Sequence, residues 1–277
     1  MKKVLFLLLA AITIVSCNDA KTKEEPKKPT IKLYALEGGQ ILVNKLELFS
    51  QDTTYTGQTK QFTDTYYVIS HPKGNLMWDA GLPEGLVLPE AITPPPGAFT
   101  VRRPDSLANQ LASIGFKIED FTYFAMSHSH FDHTGHANLM KDATWLVQET
   151  EYAAVRGDST KIDPAMKDLN KVQKLNGDHD VFGDGTVIIK SMPGHTVGHQ
   201  VLYLDLGLKQ PVLLTGDLYH FEENRATRGI PSFNYDVAQT LESMDKFEAF
   251  AKEKNANVFI QHSPADFERI KKYVNQK

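Results

Sequence analysis

Cysteine is almost missing from this 277-residue chain, which holds a single one, Cys17. No disulfide can therefore staple the residues that follow it, and any cross-link there has to come from a packed core or a metal ion. Charge of one sign is missing as well: 30 lysines and arginines face 34 acidic residues, a net −4, which argues against a nucleic-acid partner. The N-terminal apolar run, Val4 to Val15, is too short to cross a bilayer comfortably.

That run follows Lys2 and Lys3 and precedes Ser16-Cys17, the pattern of a bacterial export signal. Ile14-Val15-Ser16-Cys17 also matches a lipobox, whose cysteine becomes the lipidated first residue of the mature protein. The expectation is an exported protein, either anchored as a periplasmic or outer-membrane lipoprotein and touching the membrane only through its lipid, or secreted. Asn18 to Thr30 is rich in Lys, Glu and Pro and cannot bury a core, so residues 18–30 read as a flexible tether behind a signal at 1–17. Residues 31–277 remain for one folded domain.

What is present in quantity is histidine in a particular place. His128-x-His130-x-Asp132-His133 packs four metal-binding side chains into six residues. His128 and His130 are two apart, so on an extended or tightly turning backbone both imidazoles point to one side and can close on one ion. Asp132 and His133 follow at a turn and face the other way, toward a second ion. A histidine-rich tract can bind metal without catalysis, but three further candidates each follow an apolar, strand-like run. His195 follows Val187 to Gly194, Asp217 follows Val212 to Gly216, and His262 follows Val258 to Gln261. Five histidines and two aspartates without a cysteine suit borderline divalent ions such as zinc.

Strand-like runs fill the first half at Ile31 to Leu36, Gln40 to Val43, Thr65 to Ile69 and Asn75 to Trp78, with His71 in a hairpin turn before Asn75. Asp105 or Ser106 can cap a helix through Leu107, Leu111 and Ile114. Phe121 to Met126 feeds the histidine cluster, and Thr144 to Val147 precedes a helix at Glu149 to Arg156. Further strands are expected at Val181-Phe182, Thr186 to Ile189, Val201 to Leu206, Val212 to Leu214 and Val258 to Ile260. Asp236 opens a helix whose Val237, Leu241, Met244, Phe247 and Ala251 recur with helical period. His136 and His199 read as neighbours of the ligands or helix starts, His179 as a solvated loop residue, and Asp79 as a structural brace for a metal-loop backbone.

The ordered set of a His-x-His-x-Asp-His motif, a lone His, a lone Asp and a last His resembles the metallo-β-lactamase superfamily of hydrolases. The resemblance implies an α/β fold, the αβ/βα sandwich of two mixed sheets with outer helices. It implies two divalent metal ions, with zinc the best match: His128, His130 and His195 on one, Asp132, His133 and His262 on the other, and Asp217 bridging both beside a shared hydroxide. It also gives Asp132 a second role, carrying a proton to the leaving group.

Thr215 to Arg225 and Pro193 to Gln200 are similar to the N-acyl homoserine lactonase branch, whose members open the lactone ring of bacterial quorum-sensing signals. Some members carry a tyrosine three residues after the bridging aspartate, against the lactone carbonyl; here that place holds His220, with Tyr219 one step earlier. His220 is thus expected at the active site, since imidazole can donate the same hydrogen bond, and Tyr219 is the alternative. The apolar stretch Leu82 to Phe99 either walls an acyl-chain groove or docks on a sheet edge, a membrane or a second copy. The alternative activity is a thioester hydrolase resembling glyoxalase II, which needs late basic residues and finds only Arg269, Lys271 and Lys272. A β-lactamase with a cysteine ligand is excluded, and a non-enzymatic zinc-binding lipoprotein would need no bridging aspartate.

Overall fold

Along most of the strands, apolar side chains alternate between two destinations, and that alternation builds four layers. The computed structural model describes residues 29–158 and 162–275; the expected signal at 1–17 and tether residues 18–28 lie outside the described residues. The first sheet has seven strands: β1 (Lys32–Val43), β2 (Lys60–His71), β3 (Gly74–Trp78), β4 (Phe99–Arg102), β5 (Phe121–Ala125), β6 (Thr144–Gln148) and β7 (Val172–Leu175). Their spatial order is β4-β1-β2-β3-β5-β6-β7. The four strands from β4 to β3 pair antiparallel, and β3, β5, β6 and β7 run parallel.

The second sheet contains β8 (His179–Asp180), β9 (Val187–Ser191), β10 (Gln200–Leu204), β11 (Val212–Leu214) and β12 (Asn257–Phe259), in the order β12-β11-β10-β9-β8. Only β11 and β12 pair parallel. Both sheets are therefore mixed, as the expected sandwich requires.

Tyr67, Ile69, Leu76 and Trp78 of the first sheet meet Ile189, Leu202, Leu204 and Leu214 of the second in one buried core. Their sequence neighbours Tyr66, Val68 and Met77 turn outward onto Leu107 and Leu111 of α1 (Leu107–Ser113), while Val201, Tyr203 and Leu213 turn onto Met244 and Phe247 of α5 (Val237–Glu253). The remaining helices are α2 (Phe131–Thr134), α3 (Glu149–Arg156), α4 (Glu222–Thr227) and α6 (Pro264–Val274). Ser106 and Asp236 cap α1 and α5 through hydrogen bonds from the amides of Asn109 and Gln239.

Several expectations need correction. The two runs expected at Ile31 to Leu36 and Gln40 to Val43 form one strand that begins at Lys32, kept continuous by a bulge between Glu37 and Gly39. Val181 and Phe182 lie just beyond β8 and drop into the inter-sheet core, and His179, expected in a solvated loop, pairs with Ile189 in that strand. α6 was not anticipated, although Ser263-Pro264-Ala265-Asp266 is a capping sequence whose Ser263 Oγ accepts from the Asp266 amide. Its Ile270 joins the inter-sheet core rather than lying outside it.

Candidate metal centre

The loops that leave β5, β9, β11 and β12 gather at one edge of the sandwich, and each brings an expected residue. Two groups form. Ligand-type atoms of His128, His130, His195 and Asp217 lie within 4.8 Å of one another, and so do those of Asp132, His133 and His262.

Asp217 joins the groups. Its Oδ2 is 3.6 Å from His128 Nε2 and 3.5 Å from His195 Nε2, whereas its Oδ1 is 3.3 Å from His133 Nε2 and 3.0 Å from His262 Nε2. The two oxygens thus serve opposite sides. His195 Nε2 also lies 3.1 Å from His130 Nδ1, and the Asp132 oxygens lie 3.8 Å from the Nε2 atoms of His133 and His262.

The loop geometry explains why Asp217 sits there. Gly216 has φ +50°, and a Cβ on it would come within 2.7 Å of His199 Nε2 and 2.8 Å of Ser127 Cβ, so the chain passes where only glycine fits. His199 donates from Nδ1 to the Met192 carbonyl (3.0 Å) and accepts at Nε2 from the Asp217 amide (3.0 Å). It orients the Asp217 backbone, the supporting role expected of it, and burial lowers its pKa to about 4, which keeps the accepting nitrogen free of a proton.

Asp79, at φ 63° after β3, also acts as a brace: Oδ1 accepts from the Ser127 amide at 2.6 Å, and Oδ2 accepts from Gln261 Nε2 at 2.7 Å and lies 3.4 Å from His133 Nδ1. His262 donates from Nδ1 to the Thr63 carbonyl (3.0 Å), which leaves Nε2 for the cluster. His136 instead points Nδ1 at Glu84 (2.8 Å), and His71 stacks on Phe182 and pairs with Asp184; neither belongs to the two groups.

The donor chemistry fits divalent cations. Burial pushes His128 and His195 well below the ordinary imidazole pKa, so they present lone pairs. Burial also opposes charge on His133 and His262, but Asp217 and Asp132, joined by Asp79 at His133, outweigh it, raising His133 well above its usual value and His262 to about 9. The carboxylate field therefore calls for positive charge here. The Nε2 atoms of His128 and His133 are buried and make no hydrogen bond.

Beside the groups opens a cleft of about 330 Å³, with His130, Asp132, Asp217, His220 and His262 on its metal-site side. Phe49, Phe62, Phe99, Phe131 and Phe233 form much of its apolar wall. Of the Leu82 to Phe99 stretch only Phe99 reaches this cleft. Ile92 bridges to Val101 on the edge strand β4, while Leu86 and Pro94 to Pro96 line a neighbouring hollow against Phe131. Phe49, Phe62 and Phe233 carry no local motif, so the sequence reading missed them.

His220 Nε2 lies 3.1 Å from Asp217 Oδ2 at the cleft, whereas Tyr219 is buried among the α5 contacts with its hydroxyl on Glu248 (3.1 Å). Arg269, Lys271 and Lys272 sit on α6; Arg269 is tied to Asp266 and Asn257, and Lys271 to Glu268. Among the described residues, no lysine or arginine lines the cleft.

A sequence model of the metallo-beta-lactamase superfamily matches residues 60–262. The chain is 29% identical over 263 residues to the N-acyl homoserine lactonase AttM of Rhizobium johnstonii, covering 87% of this chain and 97% of that protein. It is 27% identical over 239 residues to the N-acyl homoserine lactonase AiiA of Bacillus thuringiensis subsp. kurstaki, covering 83% and 92%. A solved structure of an N-acyl homoserine lactone hydrolase, with the product N-hexanoyl-L-homoserine bound at its catalytic metal center, superposes with a TM-score of 0.75 at 25% identity, covering 87% of this chain and 95% of that one.

Proposed function

Starting from a chain that belongs to the metallo-β-lactamase superfamily, we propose a metal-dependent hydrolase that opens the lactone ring of N-acyl homoserine lactones. The observation that carries this reading is the junction of the two ligand groups, shared through Asp217, with an apolar cleft whose lining contains no lysine or arginine among the described residues. An acyl lactone has an uncharged ring and an apolar tail, and both suit that junction. A glutathione thioester brings carboxylates, for which the cleft lining holds no lysine or arginine among the described residues; Arg269 and Lys271 on α6 are tied to Asp266 and Glu268. The relatives named above support the same substrate class.

His128, His130 and His195 would hold one ion and Asp132, His133 and His262 the other, with Asp217 shared. Bound divalent ions, zinc best matching the donor set, supply Lewis acidity and a water acidified toward neutral pH. The chain's own groups do the rest. The phenylalanine wall excludes water and holds the tail. His220 lines the cleft with Nε2 3.1 Å from Asp217 Oδ2, and its imidazole is the side chain proposed to donate to the lactone carbonyl oxygen. Hydrolysis adds water to the carbonyl carbon and breaks the ring C–O bond, so one proton must travel from the water to the departing ring oxygen. Asp132 lines the cleft and is placed to carry it.

The same reading makes the protein exported and lipid-anchored through Cys17, supported by the sequence Ile14-Val15-Ser16-Cys17. The activity is tested by incubating zinc-loaded protein separately with an N-acyl homoserine lactone, a glutathione thioester and a β-lactam. Ring opening of the acyl lactone is expected to dominate; faster thiol release from the thioester would overturn the reading.

A further inference from the structure

A glutamate at the third position of a helix ordinarily reaches back to the amide at its own N-terminus. Glu151 holds that position in α3 and does something else. Its Oε1 accepts from the Ser129 amide (2.9 Å) and from Ser129 Oγ (2.5 Å), and its Oε2 accepts from the Gly198 amide (2.9 Å). The residue is 3% exposed.

Ser129 stands between His128 and His130, and Gly198 stands three residues after His195. The three bonds of this carboxylate thus fall between His128 and His130 and beside His195, the histidines of one group; none reaches α2, which carries Asp132 and His133 further along the Ser129 loop, or the loop of His262. The approach is close enough to require glycine on the far side: a Cβ at Gly198 would lie 2.5 Å from Glu151 Cβ and 2.7 Å from its amide nitrogen. Thr150 adds a bond from Oγ1 to the Val197 carbonyl (3.1 Å), so the first turn of α3 grips the second loop twice.

We propose that Glu151 is a positioning residue that pre-sets the His128/His130/His195 half of the centre and thereby tunes the metal affinity of that half selectively. The inference rests on the metal reading above and adds to it a residue that touches no ligand imidazole. Both carboxylate oxygens act only as acceptors. An amide offers one acceptor and one donor, so the Glu151→Gln protein must aim an NH₂ at either the Ser129 donors or the Gly198 amide, losing at least one bond at nearly constant volume. Supporting groups of this kind are worth about 10–100-fold in metal affinity.

The test measures zinc affinity by competition with a chelating indicator, reading the tighter site in full-length protein with one group weakened by a ligand substitution at a time. In an Asp132→Ala background, where the His128/His130/His195 group remains intact, Glu151→Gln should weaken zinc binding about 10–100-fold. In a His195→Ala background, where the other group remains intact, the same change should shift affinity by no more than about twofold. Equal loss in both backgrounds would mean a general structural role, and no loss in either would mean none; both overturn the proposal. If Glu151→Gln does not fold, Ser129→Ala decides, since it removes one bond and leaves the amide contact. It should weaken the first background about fivefold, the equivalent of one ordinary hydrogen bond, and unchanged affinity there refutes the assignment. Wild-type protein that takes up no zinc sinks the metal reading itself, and this proposal with it; two ions in wild type with no effect of Glu151→Gln sinks only the proposal.

Discussion

His220 Nε2 stands 3.1 Å from Asp217 Oδ2, a contact across three residues of sequence that puts an imidazole where the cleft meets the ligand groups. Tyr219, one residue earlier, points to the opposite side of the chain and spends its hydroxyl on Glu248. A donor to the carbonyl oxygen matters most as negative charge develops there, so His220→Ala should lower kcat about tenfold to a hundredfold with little change in KM. Tyr219→Phe removes one hydrogen bond, worth about 1 kcal/mol of stability, and should leave turnover near normal. Steady-state kinetics on an N-acyl homoserine lactone compare the two, and the reverse ranking would return the contact to the tyrosine.

Asp217→Asn keeps the shape of the side chain but removes the charge that both groups share. Turnover should fall about a hundredfold or more, while circular dichroism of the folded protein changes little. Near-normal rates with two ions still bound would show that the shared carboxylate is not needed.

Stripping metal with a chelator should abolish activity and lower the melting temperature, because a cation that binds only the folded centre stabilises it by mass action. At free zinc about 100 times Kd, each site adds about 2.7 kcal/mol, which corresponds to a rise of about 5–10 °C. Elemental analysis of the reloaded protein should approach two ions per chain. A stoichiometry that saturates at one contradicts the shared-carboxylate arrangement.

The phenylalanine wall implies a dependence on acyl length. Each buried methylene contributes about 0.8 kcal/mol, or about fourfold in kcat/KM, until the cleft is full. Phe233 is 43% exposed at the cleft, so Phe233→Ala should flatten this dependence without disturbing the core. A length profile that is flat in the wild type, or untouched in the variant, would move the tail elsewhere.

If Cys17 carries the anchor, Cys17→Ser should shift the protein from the membrane fraction to the soluble one with unchanged activity per molecule. Retention in the membrane would point to the uncleaved Val4 to Val15 segment instead.

Much of the fold was legible because strand and helix periods are local properties. The short apolar run Val201 to Leu204 and the capping of α5 by Asp236 need only a few neighbouring residues to be read, and both elements lie within a residue or two of expectation. β7, with Gln173 and Lys174 in a four-residue strand, escaped because its pairing comes from β6 and not from its own composition. His179 escaped for the same reason, drawn into a strand by Ile189.

The candidate ligands divide along the same line. By itself the sequence determined which side chains could bind metal and that His128 and His130 share a side, since two residues of extended chain return a side chain to the same face. It also determined that His195, Asp217 and His262 follow strands. Only the tertiary structure decided that these strand ends converge, so that His195 meets His130 across 65 residues and each oxygen of Asp217 faces a different group. The same holds for the wall built from Phe49, Phe62, Phe99, Phe131 and Phe233, and for Glu151, whose partners lie 22 and 47 residues away. Local patterns are set by backbone geometry within a turn or a pleat, whereas these meetings depend on strand order and on how the two sheets stack, which no short stretch of chain encodes.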